Sequence, residues 1–201
     1  MTSIDPVLAF LGLIGLVVIE RCVELVLSVR NGRRALARGG IEVGARHYRW
    51  MVAIHALFLL SCVVEVRLLS PAFIPGLAVA MTALVAAAMA LRYWAIITLG
   101  ERWNTRVIVV PGKPVVVSGP YRFLRHPNYV AVAVEIVALP LVHTAWRTAI
   151  FFGLANLAVL TLRIRVEEAA LSDAADYGTA FGDRPRFVPA RPHSRRRQPP
   201  R

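Results

Sequence analysis

The stretch from Gly119 to Tyr129 (GPYRFLRHPNY) mixes turn formers with basic, imidazole and phenol side chains. Ser118, Gly119 and Pro120 read as a turn. Pro127 suits the first turn of a helix, where its missing N–H costs nothing. Arg125 and His126 then stand just before a helix N-terminus, whose unpaired N–H groups and positive end attract an anion such as a small-molecule carboxylate. A second cluster is Arg163, Arg165, Glu167 and Glu168. Arg163 and Glu167 are four residues apart and share a helix face. On charge pattern alone this is the ordinary end of a membrane helix, a snorkelling arginine beside a solvated pair. A joint site requires both clusters on one side of a membrane.

The elements that must position them are apolar and long. Of 201 residues, 57% are hydrophobic, and the mean hydropathy of +0.57 is high for a chain that must cover a water-facing surface. Five runs are long or nearly long enough to cross a bilayer core of about 30 Å: Pro6 to Val29, Trp50 to Leu69, Pro71 to about Leu99, Pro127 to Val142 and Ala145 to Leu162. The last two are short and predict a tight hairpin that barely spans. Gly100 to His126 is polar and rich in turns. The expected fold is therefore an all-α integral membrane protein of about five transmembrane helices, with connectors at one membrane face. Residues 1–190 read as one domain, and 191–201 as a basic, unstructured tail.

Net charge is +12, with 24 Lys and Arg against 12 Asp and Glu. Twenty of the 24 cations fall in three segments: Arg30 to Arg49, Arg102 to Arg125, and Arg163 onward. These alternate with nearly uncharged turns. This is the positive-inside pattern of a multi-pass cell-membrane protein, with the N-terminus outside and the C-terminus cytoplasmic. It accounts for the basic excess without a nucleic-acid partner and places both clusters on the cytoplasmic side. No basic region precedes the first apolar run, which predicts a retained anchor. Cys22 and Cys62 sit in apolar runs and form no metal-ligand spacing.

Val117 to Tyr121, Arg125 to Tyr129 and the Glu167-Glu168 pair together resemble the isoprenylcysteine carboxyl methyltransferase family over roughly residues 90 to 190. Earlier helices are similar to a bacterial branch through Arg21, Glu24, Arg30, Asn31, His47 and Tyr48. The resemblance implies an S-adenosyl-L-methionine (SAM)-dependent methyltransferase whose cofactor lies between the Arg-His-Pro segment and the acidic pair. Its acceptor would be a lipid or prenylated small molecule arriving from the bilayer, methylated on a carboxyl, phenol or enol oxygen. Alkylpyrone and phenolic polyketide lipids are the leading candidates. Carried over by motif position, Tyr121, Arg125, His126, Pro127, Asn128, Tyr129, Glu167 and Glu168 would form the cofactor site. Lys113, Pro114, Val115 and Val116 would line it. Lys113-Pro114 replaces a His-Thr pair common in eukaryotic members, so backbone contacts are expected there. Similar stretches occur in phospholipid N-methyltransferases and in membrane NADPH-dependent sterol reductases, the two alternatives.

Methyl transfer from a sulfonium needs no metal. Carboxylates and the faces of Tyr121 and Tyr129 suit a cation. Arg163 would hold an anionic acceptor oxygen, and His126 is the nearest base for a phenol or enol. Glu135 and Arg92, at membrane depth, either line the acceptor path or pair with each other. His55, Glu65, Glu20 and Glu24 read as structural, and Trp103 as an aromatic-belt residue.

Overall fold

A computed structural model describes residues 5–174; the proposed tail, its arginines and the boundary at 190 lie outside the described residues. The element order is α1 (Pro6–Ala37), β1 (Ile41–Val43), α2 (Ala45–Leu69), α3 (Pro75–Leu99), β2 (Val107–Val109), α4 (Pro127–Leu141) and α5 (Trp146–Ala174). Single 3-10 turns stand at Gly100–Arg102 and Gly119–Arg122. Proline opens α1, α3 and α4, where a fixed φ favours the first turn and no N–H partner is lost. Asp5 caps α1 by accepting from the Val7 N–H at 2.8 Å.

The five expected helices are present. Tyr48–Leu69, Pro75–Arg102 and Trp146–Ser172 are long and apolar enough to cross a membrane. Helix α4 has 15 residues, about 22 Å at 1.5 Å per residue. It is joined to α5 by a tight turn, closed by Ala145 N–H bonding to the Pro140 carbonyl at 3.0 Å. Helix α5 is not the short partner expected: it runs 29 residues, past Leu162 and through the charged cluster to Ala174. Helix α1 runs eight residues past Val29, so the segment from Arg30 is largely helical and reaches beyond the apolar layer. The all-α expectation also gains a strand pair: β1 and β2 are antiparallel, with Ile41 opposite Val109 and Val43 opposite Val107. Three-residue strands are too short for alternation to reveal.

Helix α4 packs against α3 and α5, and α2 against α5. Phe10, Ile14, Val17, Phe58, Cys62, Val85, Ile136, Leu139 and Phe152 form the main core. Outside it, Leu16, Ile19, Val26, Leu60, Val79, Ile97, Phe151 and Leu154 are exposed, as helices solvated by hydrocarbon require. The start of α1, the α2–α3 turn and the α4–α5 turn meet at one end, where His143 lies between Phe10 and Phe73 with ring centroids 5.6 and 5.3 Å away. The strand pair and the 100–126 connector occupy the other end.

Glu65, near the end of α2, caps α5. Its carboxylate accepts from the backbone N–H groups of Arg147 (3.2 Å) and Thr148 (2.7 Å) and from the Thr148 hydroxyl (2.6 Å), satisfying donors that a helix start leaves unpaired. The structural role expected for Glu65 is this cap. Glu65→Ala is expected to lower stability by about 1–3 kcal/mol, read as a lower unfolding midpoint in detergent. An unchanged midpoint rejects the cap.

Candidate active site

The connector is held down by a polar stripe on α1. Ser28 Oγ lies 2.9 Å from Asn104 Oδ1 and 2.7 Å from the Thr105 hydroxyl, and Asn104 Nδ2 donates to the Ser28 carbonyl at 3.0 Å. One turn on, Asn31 Nδ2 donates to the carbonyls of Trp103 (2.9 Å) and Gly100 (3.2 Å). Arg34 and Arg38 pair with Glu101 at 2.7 and 2.8 Å, and Arg106 pairs with Glu42 of β1 at 3.0 Å. Trp103 is thereby buried, only 3% exposed. The belt expectation for it is overturned: its two flanking carbonyl contacts tie it inward against α1.

Beyond β2, the Gly119–Arg122 turn delivers Tyr121 into a pocket of Ala95, Leu99, Val115, Val116 and Leu171. Burial, with the nearby Glu167 charge adding to it, pushes the Tyr121 phenol well above its ordinary range, so it serves as a neutral ring and hydroxyl. Gly119 has φ +54°, and a Cβ there would stand 2.3 Å from Thr98 Oγ1.

The chain then enters α4. His126 precedes the helix, its carbonyl accepting from the N–H groups of Tyr129 and Val130. Its ring is buried, stacks on Tyr129 (centroids 5.3 Å, 22° apart) and places Nε2 3.0 Å from Glu168. The Tyr129 hydroxyl donates to Glu167 and accepts from Arg163 Nε at 2.8 Å. Arg163 also donates to the Thr105 carbonyl. The His-Pro segment and the acidic pair, 38 to 42 residues apart in sequence, are therefore in direct contact. Arg163 lies with them on the same face of α5.

This junction forms one wall of a cavity of about 430 Å³, within the range of small-molecule sites. Lys113, Pro114, Val115, Val116, Tyr121, Arg125, His126, Asn128, Tyr129, Arg163 and Glu167 all line it. Pro127 is buried behind the wall at the start of α4, and Glu168 stands behind His126. The Pro114 carbonyl is occupied by Arg102 at 2.6 Å. Deeper in the bundle the walls become apolar: Val18, Cys22, Leu25, Met51, Val52 and Leu59.

Glu135 is not part of the lining. It pairs with Arg92 and with Arg21, the latter at 3.0 Å, so of the two readings left open for it, pairing is the one found. Arg92 does line the cavity, together with Arg21 and Glu24. Asn104 and Thr105, which beside Trp103 read as a pocket edge, do line the cavity, as does Tyr48. Ser28, which holds them, is the residue that sequence reasoning passed over. Glu24, Ser28 and Asn31 recur at i, i+4 and i+7 on an otherwise apolar helix, and that polar stripe was the available signal.

Residues 79–173 match the model of the isoprenylcysteine carboxyl methyltransferase (ICMT) family. The uncharacterized protein YpbQ of Bacillus subtilis (strain 168) is 36% identical over 164 residues, spanning 80% of this chain and 95% of YpbQ. The chain belongs to the ICMT family. An uncharacterized protein of Haemophilus influenzae (strain ATCC 51907 / DSM 11121 / KW20 / Rd) is 27% identical over 153 residues, 76% of this chain and 88% of that protein. The stretch matched to the ICMT family contains the connector, both halves of the junction, Arg92 and Glu135. Membrane methyltransferase is accordingly the general class of this ICMT-family chain.

In this family member the turn that seats Tyr121 depends on Gly119. Gly119→Ala is expected to cost about 1–2 kcal/mol through its left-handed backbone alone, with the Thr98 clash adding to it. A Thr98→Ala change in the same chain should recover only the clash, as read by unfolding midpoints. Full recovery refutes the backbone argument.

Proposed function

We propose that this chain transfers the methyl group of SAM to an oxygen atom of a lipid dissolved in the cell membrane, at a site facing the cytoplasm. The observation that carries the reading is the contact of the α4 start with the end of α5 around one cavity. When bound, SAM supplies a methyl on a cationic sulfur that is already a good leaving group. Alignment in a dry pocket then provides most of the acceleration, a term worth up to about 7–11 kcal/mol in well-oriented systems.

The donor set suits that cofactor. Glu167 supplies a carboxylate, and Tyr121 and Tyr129 supply aromatic faces for a cation. Asn128 Oδ1 is buried in the cavity wall without a hydrogen-bond partner among the described residues. It is an acceptor suited to an amine or hydroxyl of the cofactor. The 113–116 strip, with the Pro114 carbonyl already used by Arg102, supplies an apolar side wall. Arg163 is held at two points, by Tyr129 and by the Thr105 carbonyl, and its remaining N–H donors can fix an acceptor oxygen. His126, paired with Glu168 and stacked on Tyr129, supports this wall and positions Tyr129.

The apolar half of the cavity suits a hydrocarbon chain. The concentration of cations at the connector end supports a cytoplasmic orientation, with the described start of α1 and the two short turns on the outer side. A carboxyl, phenol or enol lipid is the acceptor in this reading.

Two measurements test it. Membranes containing the protein, incubated with radiolabelled SAM and a lipid extract, should yield a labelled lipid whose label resists amine-specific cleavage. Glu167→Ala should abolish binding of S-adenosylhomocysteine in calorimetric titration while membrane insertion persists. Near-normal affinity in that variant removes the site.

A further inference from the structure

A layer of five ionisable side chains crosses the bundle beneath the junction. Arg21 binds Glu24 at 2.5 Å, Glu20 at 3.0 Å and Glu135 at 3.0 Å. Arg92 binds Glu135 and lies 3.4 Å from Glu24. The depth of the layer follows from helix geometry. Glu24 is one turn, about 6 Å, from Ser28, whose hydroxyl meets Thr105. Thr105 in turn holds Arg163. The layer is thus one turn below the position where Arg163 meets an acceptor, and Glu24, Arg21 and Arg92 face the same cavity.

Three carboxylates face two guanidinium groups, which leaves one carboxylate without a matching cation. Of the other groups packed around the layer, the Tyr93 hydroxyl bonds Glu20, and His55 of α2 lies within electrostatic range of Glu135. Among the described residues, Glu20 Oε1, Glu24 Oε1 and Arg92 Nε of this layer have no hydrogen-bond partner. Of the two carboxylates, Glu24 is the one that lines the cavity. Glu24 is 6% exposed; its Oε2 receives Arg21 and Arg92, and its Oε1 has no partner among the described residues. A buried carboxylate oxygen without a donor is costly, and a donor on a molecule in the cavity supplies what it lacks.

We propose that Glu24 takes the proton of a hydroxyl acceptor. The step rests on the methyl-transfer reading above, and it balances. The acceptor O–H bond breaks and its proton goes to Glu24 Oε1. The acceptor oxygen forms the bond to the methyl carbon as the methyl–sulfur bond breaks, its electron pair going to the SAM sulfur. Arg21 and Arg92 keep the carboxylate fixed while it is charged and hold Oε2 once Oε1 is protonated. The acceptor is then a neutral phenol or enol whose hydroxyl lies between Arg163 and the ion layer, with its chain among Val18, Leu25 and Met51.

The test uses the full chain in detergent with SAM and two probes, 3-pentadecylphenol and its 4,6-dinitro derivative, a nitrophenol that is ionised at neutral pH and needs no base. Glu24→Gln should slow transfer to the parent phenol about 100-fold or more, slow the nitrophenol less than threefold, and leave S-adenosylhomocysteine affinity unchanged. A merely structural role slows both probes equally, and that result overturns the proposal. If Glu24→Gln no longer binds S-adenosylhomocysteine, Glu24→Asp decides by the same ratio: a displaced carboxylate slows the parent phenol selectively, and equal slowing overturns the idea. A native chain that binds S-adenosylhomocysteine but methylates neither phenol overturns this proposal and leaves methyl transfer to another acceptor standing. A native chain that binds none removes both.

Discussion

Two carboxylates at the end of α5 must find partners where the helix leaves hydrocarbon, and they find them at the start of α4 and on the residue just before it. Glu167 takes the Tyr129 hydroxyl, and Glu168 takes the His126 ring. A charge left unpaired at such a boundary is expensive, so the two contacts set the rotation of α5 against α4. Everything at the connector end depends on that choice. With α5 turned this way, Arg163 reaches Tyr129 and the Thr105 carbonyl, the Lys113–Val116 strip closes the side, and a cavity remains between them.

The same requirement recurs at greater depth and with a different outcome. Around the junction the charges are satisfied pairwise, which makes a rigid wall. In the layer formed by Glu20, Arg21, Glu24, Arg92 and Glu135, three helices contribute to a network that has one more carboxylate than guanidinium. Such a network fixes helix register as a buried pair does, yet among the described residues it retains two carboxylate oxygens able to accept a hydrogen, one of them on the cavity-lining Glu24. Structural support and chemical capacity are combined in one set of residues. The core of Phe10, Ile14, Phe58, Ile136 and Phe152 lies farther from the site and serves packing alone.

Several features of the site were legible because they rest on local rules. Proline at the start of α4 placed His126 just outside a helix N-terminus. The spacing of Arg163 and Glu167 placed them on one face. The distribution of arginines brought both clusters to one end. Trp103 shows where such rules stop. An indole beside polar residues near a helix end reads as a membrane-belt side chain, and only the carbonyls that Asn31 draws toward α1 bury it. Glu135 and Arg92 were seen as charges at membrane depth, but their union with Arg21 and Glu24 requires α1, α3 and α4 to be packed at one level.

The sequence by itself determined the five helices, the charge asymmetry between the two ends and the residues able to do chemistry, because each follows from neighbours within a few turns of the chain. Tertiary structure decided which of those residues share a cavity and which oxygens are left without a partner among the described residues. Contacts such as Tyr129 with Glu167, Ser28 with Thr105, or Arg21 with Glu135 join residues 38 to 114 positions apart. Helix rotation and depth, which fix such contacts, are set by the packing of all five helices at once and leave no periodic trace in any one of them.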